Sequence, residues 1–248
     1  MKPLKRGVLN RTYSAEREKK LPLKFRLSVR AAIVAFAVHK YAAKRRGLTL
    51  LDLGAAEGRT LIEMSNMLPG NNFVGIEYSS ELIHTTPGLP ENISLLQGDA
   101  TELPTGLGSA CFDCISALAV LEHLEKPLHA VREAYRAAKP GGLFVATSPV
   151  PVWDCLSSKL GLLKDGGHVV RMNGERFTGI MTGGGFRLLE YGRFMWAPLS
   201  FLPYLHIPIS AGFSINIDRW ITRIKLLDWL FVNRYVIGRK PSRPDPGM

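Results

Sequence analysis

From residue 49 onward the chain alternates between two hydrophobic rhythms. Short apolar runs occupy residues 49–53, 72–76, 93–97, 113–118 and 142–147. Between them lie stretches of helical spacing at 59–68, 80–84 and 127–138, the last with Leu128, Val131, Tyr135 and Ala138 on one face. Four of the apolar runs are continuous enough to be buried on both sides, as parallel strands are. Repeated units of this kind predict an α/β fold with a doubly wound, mostly parallel sheet. A further unit places a helix over 174–182, a glycine stop at 183–185 and a strand over 186–193. A last strand at 231–239 brings the sheet to seven and leaves 194–230 as an insertion before it.

Upstream, Leu23, Leu27, Ala31, Val34, Val38 and Tyr41 recur at spacings of three and four, so residues 22–46 read as an amphipathic helix that stops at Gly47 and covers one face of the sheet. Residues 1–21 are polar and basic with no apolar period, a loose arm ahead of a single domain over 22–248.

At 248 residues and 46% hydrophobic, the chain can bury a real core, which excludes disordered, collagenous and disulfide-scaffold classes. Three cysteines, Cys111, Cys114 and Cys155, are an odd count in a long chain, so a reducing compartment is expected and the Cys111/Cys114 spacing reads as packing. The net charge of +11 is unevenly placed: residues 1–49 carry fourteen Lys and Arg against two Glu, whereas residues 50–186 carry nine against fifteen Asp and Glu. A basic arm of this kind suits nucleic acid, anionic lipid or plain solvent. The apolar stretch 31–38 is short and followed by basic residues rather than a cleavage site, so no secretory signal is read and a cytosolic protein is expected. Residues 194–217 lack Asp, Glu, Lys and Arg over a membrane-spanning length, but Pro198, Pro203 and Pro208 would break backbone hydrogen bonds that lipid cannot replace.

The richest motif is LLDLGAAEGRT over 50–60. An apolar strand ends on Asp52, the small residues Gly54, Ala55, Ala56 and Gly58 follow, and a helix begins. Small residues there let the backbone approach a ligand at a helix N-terminus. No Gly-Lys-Ser/Thr follows, which excludes a P-loop. Ala56 stands where a glycine-rich turn has its middle glycine, and one methyl is tolerable there if its φ is negative.

The order of motifs downstream resembles that of the class I S-adenosylmethionine-dependent methyltransferases over about residues 48–191. FVGIEYSSELI sets Glu77 and Tyr78 at the end of the second strand; LLQGDATELP sets Asp99 and Ala100 after the third; FDCISALAVLEHLEKP sets Ala117, Leu118 and His123 at the exit of the fourth; and AYRAAKPGGLFVATSP looks like the helix, turn and fifth strand. The resemblance implies S-adenosylmethionine as cofactor, with Glu77 on the ribose hydroxyls, Asp99 and the Ala100 N–H on the adenine, and Ala117 and Leu118 beside it. Asp52 would orient the loop and the methionine part, or merely cap loop N–H groups. The competing class is a nicotinamide-binding enzyme, since Glu77 follows Gly58 at nearly that spacing. It gives no reason for Asp99, LEHLEKP or the Lys-Pro-Gly-Gly turn.

An activated methyl group needs mainly an aligned acceptor and, for a hydroxyl, a base. His168, in KDGGHVVRMNGERF, and His123 are the candidates, since imidazole titrates near neutrality; packing is the plainer reading of His123. No metal site is expected. No Asn-Pro-Pro-Tyr, Asp-Pro-Pro-Tyr, Pro-Cys or Thr-Cys motif is present, which disfavours those routes of nucleic-acid base methylation.

Residues 191–235 hold ten of the 22 aromatic residues, beside a predicted amphipathic helix over 218–231 with Trp220, Ile221, Ile224, Leu227 and Phe231 on one face. That composition suits a lid over an acceptor pocket or a peripheral contact with anionic membrane. Both point to a hydrophobic acceptor, small or lipid-like; oxygen is the methylated atom expected first, with carbon and nitrogen as the other acceptor atoms. RNA methylation through the basic arm and a non-catalytic cofactor-binding partner are the alternatives.

Overall fold

The computed structural model describes residues 19–84, 86, 88–153 and 169–242. Seven strands, β1 (Thr49–Leu53), β2 (Asn72–Glu77), β3 (Ile93–Gln97), β4 (Phe112–Leu118), β5 (Ala138–Pro149), β6 (Arg187–Trp196) and β7 (Phe231–Arg239), form one sheet in the order β3-β2-β1-β4-β5-β7-β6. Pairing is parallel from β3 through β5, and β7 runs antiparallel between β5 and β6. The strand order reverses between β1 and β4, so a crevice opens at the carboxyl ends of those two strands.

Among the described residues these α-helices accompany the sheet: α1 (Leu21–Tyr41), α2 (Arg59–Met67), α3 (Ser80–His84), α4 (Pro127–Ala137), α5 (Gly174–Gly183), α6 (Ala197–Ser200) and α7 (Ala211–Ile221). Alternate strand positions feed two cores. Leu50, Phe73, Cys114, Val145 and Ile237 pack under α1 and α2, while Leu51, Ile115, Phe144, Ala146 and Val236 pack under α4 and α5. The buried central strands carry the continuous apolar runs that such packing needs.

Helix α1 lies deeper than a covering helix. Residues from Val29 to Val38 are buried on most of its circumference, because α2 meets one side and α7 another. It stops at Tyr41 rather than running to Arg46: Ala42 is extended, and the apolar period ends ahead of the Lys44–Arg46 cluster. Glu190 on β6 anchors this end, accepting hydrogen bonds from Tyr41 Oη at 2.6 Å, Tyr235 Oη at 2.7 Å and Lys40 Nζ at 2.9 Å.

The insertion differs from its sequence reading in two ways. Strand β6 continues through Trp196, since Phe194 and Met195 are buried there, so the inserted segment is Ala197–Leu230. The predicted helix over 218–231 is broken: α7 ends at Ile221, a turn follows, Lys225–Leu230 is 3-10, and Phe231 already belongs to β7. Asp218 sets which face of α7 points inward. Its buried carboxylate turns inward to accept the N–H groups of Met195 at 2.7 Å and Trp196 at 2.9 Å, which leaves Trp220 and Ile224 outward while Ile221 and Phe231 are buried. Burial pushes Asp218 up to about 6 against the pull of those two N–H donors. Among the described residues no helix is long and apolar enough to cross a membrane; Pro198 and Pro203 sit at the starts of α6 and the 3-10 turn 202–205.

Candidate cofactor site

The site begins where β1 ends. Gly54 takes φ +72°, and a Cβ there would stand 2.6 Å from Val120 Cγ2, so this position admits glycine alone. The loop then folds on itself. Gly54 and Ala55 donate to the Ile76 carbonyl at 2.8 and 3.0 Å, Gly58 donates to the Ala55 carbonyl at 2.9 Å, and Ala56 donates to Glu77 Oε2 at 2.8 Å.

Ala56 corrects the sequence reading, because its φ is +50°. Its methyl is held in the left-handed region at a cost of about 1–2 kcal/mol, and that conformation is what turns its N–H toward Glu77. Glu77 is 7% exposed. Its other oxygen accepts the Ser79 N–H at 2.8 Å. With one N–H on each oxygen, the carboxylate keeps acceptor capacity for further hydroxyl donors.

Asp52 is buried, and its Oδ1 accepts the Ser116 hydroxyl at 2.6 Å, a bond from β1 to the neighbouring β4. Ser116 was not singled out in the sequence, although a lone hydroxyl inside the apolar run of β4 was a visible signal. Asp99 closes a tight turn after β3, its Oδ1 accepting the Thr101 N–H at 2.8 Å and the Thr101 hydroxyl at 2.6 Å, with Ala100 buried between them. Ala117 pairs with Leu53, bringing the end of β4 beside the loop, and both Ala117 and Leu118 are buried. The next residue, Ala119, has φ +57°. The exits of β1 and β4 thus each carry a left-handed non-glycine residue, on the two sides of the point where the strand order reverses; strain of this sort collects at functional sites. Tyr78 lies on the rim, half exposed.

His123 ends a 3-10 turn after β4, its N–H bonded to the Val120 carbonyl at 2.9 Å. His168 lies outside the described residues, as do Cys155 and residues 1–18 of the basic arm. Val169 and Val170 both donate to the Glu122 carbonyl, at 2.9 and 3.0 Å, so the chain from residue 169 runs beside the His123 turn. Cys111 is exposed and Cys114 buried, both as free thiols, and burial foremost, then the charges of Asp113 and Asp52, push Cys114 up to about 12, which suits packing rather than redox chemistry. Among the described residues no group of three His, Cys, Asp or Glu side chains is placed to hold a metal ion.

Residues 51–146 match the model of a methyltransferase domain family. Over these residues the chain carries the sequence pattern of a methyltransferase domain, on a Rossmann-like fold that it shares with solved S-adenosylmethionine-dependent methyltransferases. A Streptomyces fradiae protein, described as an uncharacterized 37.1 kDa protein in transposon TN4556, is 33% identical over 117 residues, 46% of this chain. The match covers about a third, 33%, of that relative's length. Among solved structures, an S-adenosylmethionine-dependent methyltransferase from Archaeoglobus fulgidus superposes with a TM-score of 0.63 at 18% identity, covering 93% of this chain and 100% of that one. Phosphoethanolamine N-methyltransferase 2 of Haemonchus contortus, in complex with S-adenosylmethionine, superposes with a TM-score of 0.58 at 16% identity, covering 84% of this chain and 52% of that one. These likenesses are of fold.

The geometry of the crevice fits S-adenosylmethionine better than a dinucleotide. A pyrophosphate is held by backbone N–H groups of the glycine-rich turn, and here the N–H groups of Gly54, Ala55, Ala56 and Gly58 are all bonded inside the protein. What the crevice offers instead is the buried Glu77 carboxylate, suited to a ribose without phosphates.

Proposed function

We propose that this protein transfers the methyl group of S-adenosylmethionine to a small or lipid-like acceptor with a hydrophobic body, at oxygen. The observation that carries the reading is the Glu77 carboxylate, buried at the end of β2 beside the β1 loop and braced by Ala56 and Ser79. In this reading Glu77 takes the ribose hydroxyls, Asp99 and Ala100 the adenine edge, Ala117 and Leu118 the ring faces, and Gly54 to Gly58 with Asp52 the methionine part. The sulfonium supplies an already activated methyl group when bound. The chain's own task is then to align the acceptor, exclude water and, at a hydroxyl, receive a proton on His168 or His123.

A second feature supports an acceptor of lipid character. Trp220 (59% exposed), Leu226 (81%) and Trp229 (68%) project around the turn from α7 to the 3-10 segment, among the exposed Arg219, Arg223 and Lys225. Tryptophan and leucine ringed by cations match an anionic membrane surface, where apolar side chains bury among headgroups and bases meet phosphates. The test of the function is incubation with methyl-labelled cofactor and a lipid and metabolite extract. A labelled product heavier by one CH₂ is expected; cofactor binding with no labelled product under any extract would instead favour a non-catalytic partner protein.

A further inference from the structure

Arg234 on β7 is 9% exposed, and among the described residues no carboxylate pairs with it and its Nε has no hydrogen-bond partner. A guanidinium keeps its charge in a protein, and a buried charge without a counter-ion is costly. The neighbours sharpen the imbalance. Arg193, its cross-strand partner on β6, is a second cation beside it and holds Asp228 for itself.

The guanidinium also lies at a helix start. A Cβ on Gly174, the first residue of the ten-residue α5, would stand 3.7 Å from Arg234 Nη1 and 2.9 Å from Tyr191 Oη. Asn173 caps that helix through the Arg176 N–H, and Glu175 in its first turn is exposed and makes no ion pair with Arg234. On the other side, Ser148 of β5 is fully buried, its hydroxyl has no partner, and it faces Arg234 in register. The preceding residue, Thr147, pairs with Leu118 of β4, so these groups adjoin the rim of the cofactor crevice.

We infer that Arg234, Ser148 and the N-terminus of α5 bind a carboxylate on the methyl acceptor. A single charged oxygen pair balances a single free guanidinium, whereas a phosphate dianion would call for a second cation, and Arg193 is already committed to Asp228. This deepens the proposed function and rests on it: the acceptor is an apolar molecule with one carboxylate.

The test uses three probes that share a tail and differ in head, octanoate, octanol and octyl phosphate, titrated into the full chain preloaded with S-adenosylhomocysteine. Octanoate is expected to bind at least tenfold tighter than octanol and tighter than octyl phosphate, to lose at least tenfold in Arg234→Gln, and to recover in part in Arg234→Lys, while cofactor affinity stays the same in all forms. The comparison of probes on the unmodified chain holds even if a variant fails to fold. Equal binding of octanoate and octanol, a preference for octyl phosphate, or octanoate affinity unaltered in Arg234→Gln overturns the inference. If S-adenosylhomocysteine itself does not bind, the proposed function fails first, and the two failures are thereby separated.

Discussion

The N–H of Ala56 reaches the Glu77 carboxylate at 2.8 Å from a residue held at φ +50°. The strain and the bond belong together: relaxing Ala56 to negative φ would turn its N–H away from the side chain at the end of β2. Replacing it by glycine removes the methyl's clash with the backbone but frees the unfolded chain. Ala56→Gly is therefore expected to stabilise by about 0.5–1 kcal/mol with cofactor affinity kept, and Ala56→Val to destabilise by about 1–2 kcal/mol and weaken the cofactor. Thermal unfolding with and without cofactor checks both.

Asp218 should give the protein an identifiable pH signature. Its native pKa is raised to about 6 from an ordinary 3.8, so between those values the folded chain holds a proton that the unfolded chain has released. Stability from this group is then present at low pH and is lost as pH rises through the window, by about 1.4 kcal/mol per unit at most, and is flat above it. Urea denaturation across this range should show the slope in the parent and lose it in Asp218→Asn. A parent stability that rises over the same range without any change in Asp218→Asn contradicts the assignment.

A base at His168 predicts that His168→Ala lowers turnover on the order of 10²-fold with cofactor affinity nearly intact. His123, at the end of the turn that carries Val169 and Val170 on Glu122, should matter for stability: its loss is expected to lower the melting temperature more than the turnover. Small and equal kinetic effects from both changes would leave alignment alone as the mechanism.

The fold was largely legible because the central strands are buried apolar runs and the stretches between them keep helical spacing. Strands 49–53, 93–97 and 231–239 were read with the boundaries the structure shows. The misreadings share a cause. Periodicity describes one face of one element, whereas Asp218, which spacing alone leaves unassigned, is turned inward by N–H groups on β6, far away in sequence. Likewise the glycine-rich loop was visible, but the positive φ at Ala56 goes with its bond to Glu77, and the role of Asp52 depends on Ser116, both brought close only by the sheet.

The exposed aromatic turn makes a separable prediction. Anionic vesicles should bind the protein, less in high salt, and binding should be lost in a Trp220→Glu, Leu226→Glu double variant whose basic arm is untouched. Trp229 is left in place because it stacks against Trp153 and its carbonyl accepts the Trp153 indole N–H at 2.8 Å. RNA binding through the arm would ignore this double change, and RNA methylation without vesicle binding would replace the lipid-side reading.

The central claim is that Glu77 reads the ribose of S-adenosylmethionine. Isothermal titration of the parent and Glu77→Ala with S-adenosylmethionine and with NAD measures it directly. The account predicts one S-adenosylmethionine per chain, weakened by about 1.5–3 kcal/mol in Glu77→Ala through loss of charge-assisted hydrogen bonds, and no NAD binding. Unchanged S-adenosylmethionine affinity in Glu77→Ala, or NAD bound in its place, would contradict it.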